Sequence, residues 1–372
     1  MATRVALITP PLDSSGGIGR LMAHVVAAMP AEGITVRLLD TRGHSPRPAL
    51  SIFPLARAWV KLVFLGLTRR IDVAHINMSS HGSSIRKPIM LWTCRLFRIP
   101  VALHLHASEY PEYFANQSRP LKAFLRRTFS SADIVLVLGR SWRDYVCREL
   151  QVSPRKVRVL LNAAPGPAAV TEPEVRSVRP LGILFLGRLG ERKGTPDLLR
   201  ALADARIRNE QWVATLAGDG DVVRYRGEAE KLGLGDRVNF PGWISASEAQ
   251  ELLAKSDLLV LPSRAEGLPM SVIEAFAYGL PVVSTPVGGI PDILEDGVNG
   301  LFVRPGDDAQ LANAIFRIFH DESLRLRLAK NARRTWEERL DVATFVHDLA
   351  RCWRQLMAQS SPGSIPTQVT AG

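Results

Sequence analysis

The chain has 372 residues, long for one hydrophobic core and comfortable for two, and its 46% hydrophobic and 22% charged residues are those of a soluble globular protein. Three scattered cysteines (Cys94, Cys147, Cys352) argue against a disulfide framework or a zinc site, and no run reaches the roughly 20 apolar residues that span a bilayer. The net charge of +11 is uneven: residues 1–175 hold 23 Lys and Arg against 11 Asp and Glu, residues 176–372 hold 24 against 25, so the first half faces something anionic.

In chain order, RVALITP reads as a first strand, its apolar run too short for a secretion signal. The loop SSGGIG follows, where Gly16 and Gly17 permit φ > 0 and can turn N–H groups toward an anion, and then the helix RLMAHVVAAM. Residues 55–67, LARAWVKLVFLGL, have a wide apolar arc with Arg57 and Lys61 on one stripe. Such a helix either faces the core or lies on a bilayer with its basic residues on headgroups. RKPIMLWTCRLFR and RPLKAFLRR repeat the mixture, which favours reversible contact with an anionic membrane. No motif or aromatic platform accompanies the basic charge, so nucleic acid is not an expected partner. The remaining strands of this half are DVAHIN, PVALHLH, DIVLVLG and VRVLLN. Alternation in VALHLHASE points His104 and His106 the same way, with His106 nearer the carboxyl end; His75 reads as a strand histidine.

After the Pro- and Ala-rich stretch NAAPGPAAVTEPEVRSVRP the plan repeats: strand LGILFLG, loop RLGERKG, helix TPDLLRALADA. Arg188 and Lys193 stand in a loop directly after a buried strand. WVATLAG, RVNFPG, DLLVLPS, PVVSTP and GLFVRP complete the strands; apolar runs separated by helices mean parallel sheets covered on both faces. In PSRAEGLPMSVIEAFAYG, Glu266 belongs to a loop and Glu274 to a helix that Gly279 and Pro281 stop. Both carboxylates then sit at the carboxyl edge of a sheet, where open α/β proteins bind ligands. PVGGIPD adds Gly288 and Gly289. The expected division is a domain over 1–165, a linker over 166–180, a second domain over 181–342, an amphipathic helix over 343–358 that can pack on the first domain, and a disordered tail over 359–372.

GGIGR, LHLHASE, LLNAAP, LGRLGERKG, AGDG, FPGW, the glutamate pair and TPVGGIPDILEDGVNG together resemble the retaining glycosyltransferase family 4. The resemblance implies the GT-B fold, two Rossmann-like α/β domains with parallel sheets facing across a cleft. It implies transfer of a sugar from a UDP- or GDP-linked donor to a hydroxyl of a glycan or lipid-linked glycan, as in bacterial polysaccharide assembly. No metal or other cofactor is expected, and the place is the cytoplasm or the inner face of the plasma membrane. In the implied catalytic set His106 holds the donor sugar, Arg188 and Lys193 meet the charge on the leaving diphosphate, and Glu266 lies beside the donor sugar with the N–H groups of Gly267 and Leu268. Glu274 accepts from the ribose diol, and Gly16 and Gly17 face the donor phosphates. Glu109 is a candidate base on the acceptor side. Asp292 stands where the family often has Glu and is given no contact. The cations favour same-face attack over a covalent intermediate. The rivals are a nucleotide-sugar epimerase of the same fold and a non-catalytic sugar-nucleotide sensor; nucleotide released only in the presence of acceptor separates the three.

Overall fold

A computed structural model describes residues 3–12, 17–44, 51–167 and 180–360. The chain forms two compact units, one of residues 1–161 and 342–372, the other Asn162–Asp341. Gly16, most of the expected linker and the expected disordered tail beyond Ser360 lie outside the described residues.

The first unit is built on six parallel strands: β1 Thr3–Thr9, β2 Ile34–Asp40, β3 Val73–Met78, β4 Val101–Leu105, β5 Ile134–Val137 and β6 Val157–Val159. Their order across the sheet is β2-β1-β3-β4-β5-β6. The inner strands β3, β4 and β5 are buried at every residue, as helices on both faces require. The second unit repeats the design with β7 Leu181–Leu186, β8 Trp212–Ala217, β9 Val238–Gly242, β10 Leu258–Leu261, β11 Val282–Ser284 and β12 Gly300–Phe302, ordered β12-β11-β10-β7-β8-β9. The direction of winding reverses beside β1 and β3 in one sheet and beside β7 and β10 in the other. A doubly wound sheet opens a crevice at the carboxyl ends of such strands.

Helix Val342–Ser360 returns to the first unit and packs on helix Gly17–Ala28 and on β3. Trp353 is its fully buried anchor, and Arg354 pairs with Glu32 at 2.8 Å. In the second unit, helix Ala246–Lys255 opens with a capping box between Ser245 and Glu248. Helix Met270–Ala277 ends at Gly279, whose φ of 66° takes the chain out of the helical path, as its sequence signals predict.

Candidate functional site

In the second unit the chain leaves β7 at Gly187, turns through Arg188 and forms a single 3₁₀ turn, Glu191–Lys193. It leaves β10 into the loop that carries Glu266. The two loops meet at the switch point. Lys193 Nζ lies 2.6 Å from Glu266 Oε1, with side chains only 13% and 5% exposed, and the Ser263 hydroxyl donates to the same oxygen at 2.6 Å. A carboxylate this deep is tolerated because both donors stand ready for it.

The loop holding Glu266 is clamped from several sides. Gly194 has φ 72°, and a Cβ there would lie 2.1 Å from the Pro262 carbonyl oxygen. Gly288 has φ 59°, and its Cβ would lie 2.1 Å from the Glu266 carbonyl oxygen. At both positions glycine serves a close approach between backbones. The Gly289 N–H donates to Gly267 O at 2.6 Å, and Arg264 N–H donates to Arg192 O at 2.8 Å. The Arg192 guanidinium caps Ala265 O at 3.2 Å, Thr285 donates to Ser263 O, and Asn162 of the LLNAAP motif donates to Leu268 O at 3.0 Å. The loop is therefore set in one conformation before any ligand arrives.

Arg188 is different. Its side chain is 68% exposed and pairs with Asp219 at 3.3 Å. The two cations read together from the sequence are thus one buried and one exposed. Glu274 is half-buried on helix Met270–Ala277. Burial raises the Tyr278 phenol above its ordinary range, and the charge on Glu274 adds to the rise.

In the first unit, Gly17 is the first residue of helix Gly17–Ala28, after β1. Glu109 is exposed at the start of helix Tyr110–Ala115. His106 follows β4 and is buried. Its Nε2 lies 2.9 Å from Asn77 Oδ1, which also takes His75 Nε2 at 3.1 Å, while Asn77 Nδ2 donates to Thr9 at 3.1 Å. The Trp353 indole donates to His75 Nδ1 at 3.2 Å. An indole can only donate, so His75 Nδ1 is the acceptor and His75 Nε2 carries the proton. Asn77 Oδ1 then accepts from both imidazoles, which puts the His106 proton on Nε2 as well. His106 Nδ1 has no partner among the described residues, so it holds a lone pair ready to accept. Burial, reinforced by His75, pushes His106 down to about 3; burial pushes His75 to about 4. Both are neutral at physiological pH. The His104 ring lies against His106 at a centroid distance of 3.8 Å, tilted by 40°, and is pushed well down by burial.

Sequence reasoning missed Ser263, Asn77 and Trp353. Asn77 stands two residues after His75 on one strand, so period-two spacing puts both on one face. Ser263 is three residues before Glu266. Nothing local marks Trp353, 278 residues from its partner.

Residues 4–163 match the family described as "Glycosyl transferase 4-like domain", and residues 172–335 match "Glycosyl transferases group 1". Alpha-D-kanosaminyltransferase of Streptomyces kanamyceticus is 28% identical over 308 residues, 75% of this chain and 78% of that protein. The 2-deoxystreptamine N-acetyl-D-glucosaminyltransferase of Streptomyces fradiae is 30% identical over 309 residues, 76% of this chain and 72% of that protein. Among solved structures, a sucrose-phosphate synthase from Thermosynechococcus elongatus superposes with a TM-score of 0.79 at 21% identity, covering 96% of this chain and all of that one, which establishes the fold.

Proposed function

The chain belongs to the glycosyl transferases group 1 family and has the GT-B fold, and from that premise we propose that it is a retaining, metal-independent glycosyltransferase acting on a glycan or lipid-linked glycan. The observation that carries this reading is the buried Lys193–Glu266 pair at the switch point of the second sheet. The donor is a UDP- or GDP-linked sugar. Its diphosphate lies at Lys193 and is reached by Arg188, whose exposure leaves it free to swing onto the ligand. Glu274 accepts from the ribose hydroxyls. Glu266, with the N–H groups of Gly267 and Leu268, faces the sugar.

In the reaction the bond from the anomeric carbon to the diphosphate oxygen breaks, and the departing oxygen takes the acceptor hydroxyl's proton. The acceptor oxygen bonds to the carbon on the same face, so configuration is retained. Developing charge on the diphosphate is met by two cations, one already in place, which supplies the electrostatic work a metal performs elsewhere. Glu266 spends Oε1 on two donors, which suits a holder of hydroxyls better than a nucleophile. His106 offers a neutral acceptor nitrogen to a sugar hydroxyl.

The acceptor side operates at the cytoplasmic membrane face. Helix Ile52–Leu67 buries only Ala58, Leu62 and Leu65, while Ile52, Phe53, Val60, Phe64 and Leu67 are exposed beside Arg57 and Lys61. Helix Ser83–Leu96 continues the apolar face with Ile85, Ile89 and Leu96, and Trp59 ties the two helices by donating to Thr93 at 3.0 Å. A patch this apolar with a basic rim suits an anionic bilayer.

Calorimetry with free and sugar-bearing UDP and GDP tests the donor assignments. Glu274→Gln is expected to weaken both forms, and Glu266→Gln to spare the free diphosphate and weaken the sugar-bearing one. Equal losses on both ligands for both variants would contradict the placement.

A further inference from the structure

We propose that a cavity at the carboxyl ends of β1 and β3 in the first unit binds a phosphate group carried by the acceptor. This deepens the function proposed above and rests on it for the identity of the ligand as acceptor. The cavity has a volume of about 270 Å3 and is lined by Thr41, Arg42, Ser79, Ser83, Arg86 and Lys87, among others. It occupies the switch point of its sheet, the place where a doubly wound fold binds ligands.

Among the described residues, the cavity's cations outnumber the acids near them, with the Asp40 charge acting on both Lys87 and Arg86. Lys87 is 2% exposed, yet among the described residues its ammonium donates only to the Ile8 carbonyl, at 3.1 Å. An ammonium has three donors, and no described carboxylate stands within ion-pair distance of this one. Asp40, whose charge acts on Lys87, accepts the backbone N–H groups of Arg42 and Gly43 at 2.8–3.0 Å. The Arg86 guanidinium lies over Gly82, where a Cβ would be 2.7 Å from it, and its Nε has no partner among the described residues. The Thr41 hydroxyl, 1% exposed, has none either. Burial and the Arg86 charge push Lys87 down to about 7, and burial with the Arg42 charge lowers Arg86. Three cations that disfavour one another are costly to keep together unless a ligand completes them. Converging cations and hydroxyls fit a tetrahedral dianion, and the cavity meets the amino end of the 14-residue helix Ser83–Leu96, whose dipole adds to the attraction.

Binding is measured by calorimetry and thermal shift on the full chain without donor, so the outcome does not depend on turnover. The probes are glycerol 3-phosphate, as a soluble ester, and octyl phosphate, as a lipid-like one. Wild type is expected to bind at least one of them and to melt higher in its presence. Tighter octyl phosphate binding identifies a lipid-linked source, and equal or tighter glycerol 3-phosphate binding a soluble one. Lys87→Met, which removes the buried charge and keeps the stem, and Arg42→Ala, at an exposed position, are each expected to lose about tenfold or more in affinity. Lys87→Met should melt at or above the wild type without ligand, because a buried charge that lacks a partner is gone. The proposal is overturned if neither probe binds, if both variants bind as wild type does, or if saturating UDP and GDP displace the probe, which would make the cavity part of the donor site. Transfer activity can fail or succeed independently of these results.

Discussion

Lys193 and Arg188 look alike in the sequence but stand in opposite physical situations. Truncating Lys193 leaves the Glu266 carboxylate buried against Ser263 alone, a class of change that costs about 3–5 kcal/mol. Arg188 is mostly in water, where truncation changes stability by about 0.5 kcal/mol or less. Both variants are expected to lower turnover by about 10²–10³ where the charge contact forms in the transition state. Lys193→Ala alone should lower the melting temperature. Steady-state kinetics and melting on both variants check this; unchanged turnover in both would refute the assignment. The buried histidines give a second prediction. His75 is held near 4 in the folded chain against about 6.5 when unfolded, so the unfolded state takes up the proton first. Stability is full above about 6.5 and is lost as pH falls toward 4; at pH 5 His75 alone accounts for a loss of about 2 kcal/mol. His106, held lower still, adds to the same window. A pH series of unfolding midpoints should fall between 7 and 5, and a flat profile would contradict neutral burial.

Elements were legible where burial is symmetric and illegible where it is not. The inner strands are apolar at nearly every position and read as strands at once. β2, Ile34–Asp40, was not anticipated: it is an edge strand in which only Ile34 and Leu39 are buried, with Arg37 at its centre, so it carries no buried run. The Glu266 loop shows the same limit within the site. Its turn residues and carboxylate are local and readable, while the clamps on it from Arg192, Gly289 and Asn162 come from three distant segments. Helix Ile52–Leu67 could be read as core or as membrane surface, because composition does not say which arc is covered. Its narrow buried edge leaves the broad apolar arc outward. The protein should therefore co-sediment with vesicles containing acidic lipid and leave them partly as salt rises, since each basic residue near such a surface contributes about 1 kcal/mol. An Arg57→Glu, Lys61→Glu double variant should bind less and remain folded, because both positions are exposed. Indifference of the wild type to acidic vesicles at low salt would return the helix to a structural role.

At the scale of the whole chain, the charge follows the units more sharply than it follows the halves of the sequence. The first unit, with its returning C-terminal segment, holds 25 Lys and Arg against 10 Asp and Glu, and the second holds 22 against 26. That division suits a unit that handles an anionic acceptor and surface, joined to one whose cations are offset by a similar number of acids. It also accounts for Trp353: the returning helix anchors the first unit through His75, and His75 fixes the proton on the histidine pair. The central claim is that this site moves a sugar with retention, using one buried cation, one exposed cation and a held carboxylate. The most direct measurement is NMR of the anomeric centre during reaction of a panel of UDP- and GDP-sugars with glycan and lipid-linked acceptors, in excess chelator. The account predicts that nucleoside diphosphate appears only when acceptor is present and that an α-linked donor gives an α-linked product. An inverted product, a dependence on added divalent metal, or a donor that changes into its epimer without acceptor would contradict it.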